Sequence, residues 1–152
     1  MNKSFNELVG KMPGLLQSVE SQHFRTRENL VGIPERGVYV FYENDKALYV
    51  GRSNRLKTRL QEHGRPSSGH NSAPFAFNLA REKMHAEEIP PYVTRKELEQ
   101  APGFEEAFFD ARNRVAQMKI RIIQIDDQVT QALFEIYAAL ALNAPYNDFS
   151  TH

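Results

Sequence analysis

The chain has 152 residues, of which 41% are hydrophobic and 25% are charged, a size and composition typical of one soluble globular domain. It contains no cysteine, which excludes disulfides, thiolate zinc sites and a cysteine nucleophile. No apolar run reaches the roughly 20 residues of a membrane span, and the polar N-terminus is unlike a signal peptide. We therefore expect a cytoplasmic protein with no membrane partner.

The charge balance is neutral, but the charges are unevenly distributed. The 19 basic and 19 acidic residues cancel, which argues against strong non-specific binding of nucleic acid over the whole surface. Residues 51–65 nevertheless hold one acid, Glu62, among five basic residues: Arg52, Arg55, Lys57, Arg59 and Arg65. This segment is either a local phosphate-binding face or simply a solvated helix face.

The N-terminal segment predicts two short helices that pack on the core. Ser4 with Glu7 three residues later has the form of a capping box. Apolar residues follow at helical spacing: Phe5, Leu8, Val9 and Met12. The Pro13-Gly14 pair predicts a break, after which a second helix contains Leu15, Leu16 and Val19.

A β-hairpin and a basic helix are predicted next. Residues 37–42 and 46–50 are rich in Val, Phe, Tyr and Leu, and the polar residues 43–45 separate them. Ser53 is placed to cap a helix over 54–63, in which Leu56 and Leu60 share one face.

The second half of the chain predicts four more helices and one more strand. A loop over 64–72 precedes a helix over 74–84, an extended connector at 89–92, a short helix capped by Thr94, and a helix over 104–116. Residues 119–125 alternate as a strand. Asp126 or Asp127 then caps a last helix over 129–142.

This last helix is apolar nearly all round, which predicts that it is buried within the domain. After Thr130 and Gln131, its only polar side chain of consequence is Glu135, which shares a face with Gln131. A buried carboxylate needs a partner. A salt bridge to an arginine, a metal ion, or exposure on a narrow outer stripe would each satisfy it.

Other catalytic patterns are missing from the sequence. It has no histidine spacing for zinc, no P-loop or dinucleotide fingerprint, and no strand-to-helix elbow for a nucleophilic serine. His63, His70 and His85 are dispersed, and each by itself is expected to be a surface histidine rather than a ligand.

Several motifs together resemble one family. The tripeptides GVY at 37–39 and YVG at 49–51, with Tyr39 and Tyr49 ten residues apart, are similar to the two name motifs of the GIY-YIG nucleases. Arg59 follows Tyr49 by ten residues, as the essential arginine of that family does, and His63 lies one turn later. ALFEIYAALALNAPYN is similar to the family's last helix, with the metal-binding glutamate at Glu135 and a terminal asparagine at Asn147.

The resemblance implies an α+β (α/β) fold, a small three-stranded mixed or antiparallel sheet flanked by helices. It implies a single nuclease domain over 1–152, with its core at about 30–63 and 117–149. Residues 1–29 would form a helical arm and residues 64–116 a helical insert. This insert is longer than in the repair endonucleases of the family, and no familiar DNA-binding module is recognised in it.

The resemblance further implies a metal-dependent endonuclease that cleaves DNA. Glu135 would hold one divalent cation, Mg²⁺ or Mn²⁺, and Arg59 would contact the scissile phosphate. Tyr39 is favoured as the base and Tyr49 as the group that positions water or phosphate, while His63 could assist either. Because a free phenol has a pKa of about 10, a base role requires positive charge nearby, which Arg52, Arg59, His63 and the metal could supply.

Further expectations concern substrate binding and partners. Gly51 would let the backbone approach the phosphate, Arg52, Arg55 and Lys57 would contact DNA, and Asn147 would hold the Glu135 helix to the nearby strand. The insert would supply substrate contacts or a homodimer surface. The alternatives are a catalytically inactive module that binds nucleic acid or protein, and a nuclease subunit targeted by a partner protein.

Overall fold

The structure is a computed structural model that describes residues 3–69, 72–86 and 94–149. The helices are α1 (Lys3–Glu20), α2 (Leu56–Gly64), α3 (Pro74–Ala86), α4 (Arg95–Glu99), α5 (Phe104–Ala116) and α6 (Gln128–Ala141). The strands are β1 (Gly37–Glu43), β2 (Lys46–Ser53) and β3 (Lys119–Gln124). The connector predicted at 89–92 lies outside the described residues. The chain divides into two compact units, Met1–Arg59 with Met118–His152, and Leu60–Gln117.

The first unit is built on a three-stranded antiparallel sheet in the order β2-β1-β3. The predicted α+β fold is confirmed, and the sheet is antiparallel rather than mixed. The predicted hairpin is confirmed as well: Glu43 pairs with Lys46, and the turn residues Asn44 and Asp45 have φ of 53° and 63°. Positive φ at both turn residues is the geometry of a type I′ turn, which matches the twist of the two strands.

Strand register divides the hairpin into two faces. Val38 pairs with Arg52 and Val40 with Val50, whereas Tyr39 pairs with Gly51; successive side chains point to opposite faces of a sheet. Val38, Val40 and Val50 belong to the core that α1 and α6 help to form, together with Met12, Val19, Phe134 and Ala138. The register therefore separates the packing residues of the hairpin from the face that carries Tyr39.

Tyr42 is a packing residue. It is 4% exposed and lies in the core of the first unit. Its ring meets Phe24 edge-on, with ring centroids 5.1 Å apart, and the Arg121 guanidinium lies 5.0 Å from its centroid. Such aromatic and cation–π contacts stabilise the outer strand β3 against β1.

The prediction of two N-terminal helices is wrong, because α1 runs without a break from Lys3 to Glu20 with Pro13 inside it. Proline removes one helical hydrogen bond and costs about 3 kcal/mol in a helix interior. Met12 and Val19, on either side of Pro13, are both buried in the core of the first unit. Burial of these side chains along one continuous face offsets the local cost.

The prediction that the apolar helix α6 is buried within the domain is wrong for one side of the helix. Val129, Ile136 and Leu140 are 57%, 44% and 67% exposed, whereas Phe134 and Ala138 are buried. Asp127 rather than Asp126 caps this helix, because its carboxylate accepts a hydrogen bond of 2.9 Å from the Thr130 amide. The helix packs from one side on α1 and the hairpin, so its apolar composition does not decide its burial.

The second unit is helical, as the sequence predicts. Helix α3 packs on α5, and Phe77, Phe104 and Phe108 form an aromatic cluster in which the Phe104 and Phe108 rings stack at 5.6 Å. The predicted cap of α4 is confirmed, since the Thr94 hydroxyl accepts a hydrogen bond of 3.1 Å from the Glu97 amide. Within the described part of the chain, no helix has the length and apolar character needed to span a membrane.

Candidate active site

Tyr39 and Arg59 are joined by a hydrogen bond. Tyr39 lies on the central strand β1 and is 1% exposed, and its hydroxyl accepts a hydrogen bond from the Arg59 guanidinium. Arg59 lies in α2, whose first turn is fastened to the preceding chain by a bond of 2.9 Å from the Leu56 amide to the Glu35 carbonyl. The hydrogen bond therefore orients the guanidinium, whose planar fork suits phosphate.

Gly51 makes room for the Tyr39 ring. The two residues are paired across the hairpin, and a Cβ on Gly51 would lie 2.3 Å from both Cζ and Oη of Tyr39. Real Cβ atoms do not approach other atoms so closely. A side chain at position 51 would therefore displace the Tyr39 phenol. Gly51 thus has a structural role, leaving room for this ring, in addition to its predicted role beside a phosphate.

Tyr49 lies within electrostatic reach of three charged or phenolic groups. Burial and, to a smaller extent, the Glu135 carboxylate raise the pKa of the Tyr49 phenol to about 12, against the influence of Arg59. The pKa of Tyr39 is also raised well above its ordinary value, chiefly by burial and then by Tyr49, while Arg59 lowers it. Both phenols are therefore protonated at neutral pH in the free protein.

Glu135 lies beside Arg52, with its Oε1 3.9 Å from the guanidinium Nε. Their side chains are 27% and 39% exposed, so the contact is a half-buried, long ion pair. Burial raises the pKa of Glu135, and Arg52 only partly offsets this. An arginine partner is one of the three outcomes left open by the sequence, and it only partly compensates the burial of the carboxylate.

The Glu135 carboxylate fits a divalent cation. Mg²⁺ prefers oxygen ligands and is held in nucleotide-processing sites by one or two carboxylates together with substrate phosphates. Across the described residues, no group of three His, Cys, Asp or Glu side chains gathers as a metal centre. The donor set is therefore a single carboxylate, whose pKa is raised by burial and only partly lowered by Arg52.

Asn147 pairs with the outer edge of β2. Its Oδ1 accepts a hydrogen bond of 2.8 Å from the Val50 amide, and its Nδ2 donates one of 2.7 Å to the Val50 carbonyl. The Tyr146 amide adds a bond of 3.1 Å to the Leu48 carbonyl. The segment after α6 is thus fastened to the strand that carries Tyr49 and Gly51, and the edge of that strand is covered.

An amide cluster that the sequence interpretation did not assign joins α6 to the chain after β2. Asn54 and Gln128 exchange hydrogen bonds of 2.9 and 2.8 Å. Gln131, which is 1% exposed, donates to Asn54 Oδ1 at 3.2 Å and to the Ile125 carbonyl at 2.7 Å. A polar Gln131 on an apolar helix, one turn before Glu135, indicated a buried hydrogen bond at this position. The sequence did not identify its partner, Asn54, which lies 77 residues away in the chain.

Other predicted site residues lie in different surroundings. Arg55 and Lys57 are exposed and line an open groove of about 370 Å³ with Gly32, Pro34 and neighbouring residues. The Ser53 hydroxyl accepts a hydrogen bond of 2.9 Å from the Arg55 amide, and α2 begins at Leu56, two residues later than predicted. The expectation of a surface residue at His63 is wrong: it is fully buried. It belongs to the second unit, and His70 lies outside the described residues.

Comparison with known proteins gives one match. Residues 35–147, most of the chain, match the family model described as the GIY-YIG catalytic domain. No curated protein and no solved structure matches the chain. The matched range begins before β1 and ends at Asn147, so it contains Tyr39, Tyr49, Arg59 and Glu135.

Proposed function

The chain belongs to the GIY-YIG nuclease family, and on this premise we propose that it is a metal-dependent endonuclease that hydrolyses phosphodiester bonds in DNA. The observation that carries the proposal is that the two phenols, Tyr39 and Tyr49, lie within electrostatic reach of each other, and that each also lies within reach of Arg59 and Glu135. Phosphodiester hydrolysis needs a positioned water, a cation on the phosphate and a site for a divalent metal. These four side chains can supply all three.

Arg59 is the proposed phosphate ligand. It donates a hydrogen bond to the Tyr39 hydroxyl, and a guanidinium that is oriented in advance neutralises charge on the phosphate without reorganising during the reaction. Arg52 adds a second positive charge beside Glu135. Arg55 and Lys57, exposed at the start of α2, are proposed to contact the DNA backbone outside the scissile bond.

Glu135 is the proposed ligand of one Mg²⁺ or Mn²⁺. When bound, such a cation supplies Lewis-acid assistance to the phosphate and the leaving oxygen. The carboxylate must be ionised to bind it, and its raised pKa makes this condition depend on pH more than at an exposed glutamate.

The tyrosines are proposed to position and deprotonate the attacking water, with Tyr39 as the base and Tyr49 as the positioning group. Because burial raises both pKa values, Tyr39 can take a proton only if positive charge in the substrate complex stabilises its phenolate. Arg59, already bonded to the Tyr39 hydroxyl, is the first such charge. His63 is proposed as an assisting group, because it follows Arg59 by one turn in α2.

Gly51 and Asn147 are proposed to maintain this geometry. Gly51 leaves room for Tyr39, and Asn147 fixes β2 beside Tyr49. We further propose a single nuclease domain with residues 64–116 as an insert, in a cytoplasmic protein. Targeting by a partner protein or formation of a homodimer is compatible with this assignment.

One assay tests the activity. Wild type and Glu135→Ala are incubated with plasmid and single-stranded DNA in Mg²⁺ or Mn²⁺, and then with a chelator. Glu20→Ala is the matched control, because Glu20 is an exposed glutamate at the end of α1. Cleavage should require the metal, persist in the control and fall by at least about 100-fold in Glu135→Ala.

The alternative of a non-catalytic binding module predicts a different result. Folded wild-type protein would then bind DNA or protein and cleave no substrate with either metal. The half-buried Glu135 carboxylate, whose pKa is raised, costs free energy to bury, and its negative charge repels DNA. A protein that only binds DNA would gain nothing from such a group. This feature favours the enzyme.

A further inference from the structure

The second unit contains a cavity of about 450 Å³ between the loop at 67–69 and helix α5. Its walls differ in character. Phe108 and Phe109 provide aromatic surface, whereas Ser68, Glu99, Glu105 and Arg112 provide polar groups. A small ligand held here could make both stacking contacts and directed hydrogen bonds.

Two donors in this wall are buried without hydrogen-bond partners among the described residues: the Ser68 hydroxyl and Nε of Arg112. Arg112 is otherwise fixed, because Nη1 donates to the Ser68 carbonyl and the guanidinium lies 4.3 Å from the Phe108 ring centroid. Burial lowers the pKa of Arg112, against the influence of Glu105. Buried donors of this kind favour a ligand that brings acceptors to them.

The aromatic side of the cavity offers a planar surface. Phe104 and Phe108 stack on one another, with centroids 5.6 Å apart. Phe109, the next residue of α5, is 47% exposed although it lines the cavity. A flat, heteroaromatic ligand could stack on the exposed Phe109 ring and accept hydrogen bonds from the unpaired donors of Ser68 and Arg112.

We propose that this cavity binds one unpaired nucleobase of the substrate DNA, with guanine preferred. The ring would stack on Phe109, and its O6 and N7 would accept from Arg112 and Ser68. The ring N–H and the amino group of guanine would donate to Glu99 or Glu105. This inference rests on the proposed nuclease function, to which it adds a substrate class: DNA with an unpaired or extruded base.

The charges at the cavity favour a base over a phosphate. Glu99 and Glu105 would repel a phosphate, since the wall has one cation for two carboxylates. A wholly apolar ligand would leave the buried donors of Ser68 and Arg112 unpaired. Among the bases, thymine has a single ring donor and no amino group, so it would satisfy fewer of the acceptors.

The first experiment uses the absence of tryptophan from the chain. Phe109→Trp introduces a single tryptophan at the cavity. Phe149→Trp is the control, because it introduces a single tryptophan at a 51% exposed position of the first unit. Both are titrated with GMP, AMP, CMP and TMP. GMP should quench the first variant with at least about tenfold higher affinity than TMP, and should have no saturable effect on the second.

The second experiment measures binding of single-stranded oligonucleotides in chelator, so that no cleavage occurs. Full-length protein should bind an oligo-dT with one central dG about tenfold more tightly than oligo-dT alone. Phe109→Leu, which keeps an apolar side chain without a ring, and Glu105→Gln should each shrink this difference. Glu106→Gln, on the same helix turn but outside the cavity lining, is the matched control and should retain it.

The outcomes separate the two proposals. Equal affinity for all four nucleotides and both oligonucleotides would overturn the base pocket, and cleavage of the same oligonucleotides in Mg²⁺ would leave the nuclease proposal standing. Guanine-selective binding with no cleavage of any DNA would contradict the nuclease instead. Quenching by a peptide with Lys or Arg side chains but by none of the nucleotides would assign the cavity to a protein partner and also overturn the inference.

Discussion

The ring of Tyr39 occupies the space above Gly51, so that a Cβ on Gly51 would lie 2.3 Å from the Tyr39 hydroxyl oxygen. The two residues are direct partners across the β1–β2 hairpin. Gly51 of the second tripeptide, which has no side chain, therefore leaves the space that the ring of Tyr39 in the first tripeptide occupies. The Tyr39 hydroxyl, held there, accepts the hydrogen bond from Arg59, so the shape of the hairpin and the orientation of the arginine are coupled.

Gly51→Ala should displace the Tyr39 ring. We expect a loss of about 1–3 kcal/mol in the free energy of unfolding, typical of overpacking, and a large fall in cleavage rate. Urea denaturation and the plasmid assay measure these effects. Gly14→Ala is the control: it lies in α1 with no atom within 4 Å of its Cβ position, and should be neutral or stabilising by up to about 1 kcal/mol.

A double variant tests the cause of that destabilisation. If the Tyr39 ring is the obstacle, adding Tyr39→Ala to Gly51→Ala should cost much less than the sum of the two single substitutions. Strictly additive losses of stability would contradict the proposed clash.

Glu135→Gln should separate stability from activity. The pKa of Glu135 is raised on folding, so its contribution to stability is fully present below the unfolded value, near 4.5, and is lost as pH rises through the folded pKa. At pH 7 the variant should therefore unfold at the same temperature as wild type or a few degrees higher, with cleavage abolished.

The raised pKa of Glu135 should also determine the pH below which cleavage declines. Because Glu135 must be ionised to bind metal, cleavage by wild type should decline on acidification at a higher pH than an ordinary glutamate would give. Removing the positive charge with Arg52→Gln should move this limit to still higher pH, since Arg52 lowers the pKa. An unmoved acid limit in Arg52→Gln would show that another group controls it.

Asn147→Asp should loosen the outer edge of β2. Aspartate keeps the oxygen that accepts from the Val50 amide but loses the 2.7 Å bond to the Val50 carbonyl and places negative charge beside it. We expect a loss of about 1–3 kcal/mol in stability and slower cleavage, because Tyr49 and Gly51 flank Val50. Asn6→Asp, at an exposed position of α1, should change stability by less than about 0.5 kcal/mol.

The buried tyrosines should make the protein sensitive to alkali. The pKa of Tyr49 is about 12 and that of Tyr39 is also raised, so both contribute stability that is complete below the unfolded value near 10 and is lost as pH rises through the folded values. Absorbance titration of phenolate should show late ionisation that Tyr49→Phe reduces by one group. Ionisation of all six tyrosines near pH 10 in the folded protein would contradict this.

Local patterns in the sequence determined much of this protein. Alternating β-branched and aromatic residues around Asn44 and Asp45 predict the hairpin, because only a turn with left-handed residues continues its twist. The capping side chains of Thr94 and Asp127 mark two helix starts. The family resemblance rests on Tyr39, Tyr49, Arg59, Glu135 and Asn147, whose spacing is a property of the linear chain.

Other features were decided by contacts between residues distant in sequence. Burial of Met12 and Val19 keeps α1 continuous through Pro13, and one-sided packing leaves Ile136 and Leu140 exposed on an apolar α6. Local propensity cannot foresee either outcome, because the compensating energy comes from the partner surface.

The tertiary structure also decided the electrostatics of the site. The sequence suggested that positive charge would make a phenol basic, but burial dominates and raises the pKa of both Tyr39 and Tyr49. Gln131 donates a hydrogen bond to Asn54, which lies 77 residues away in the chain, and the Tyr39 ring packs over Gly51. The sequence by itself determined which chemical groups are present and in what order, whereas desolvation and long-range pairing, which depend on the folded chain, decided their protonation and orientation.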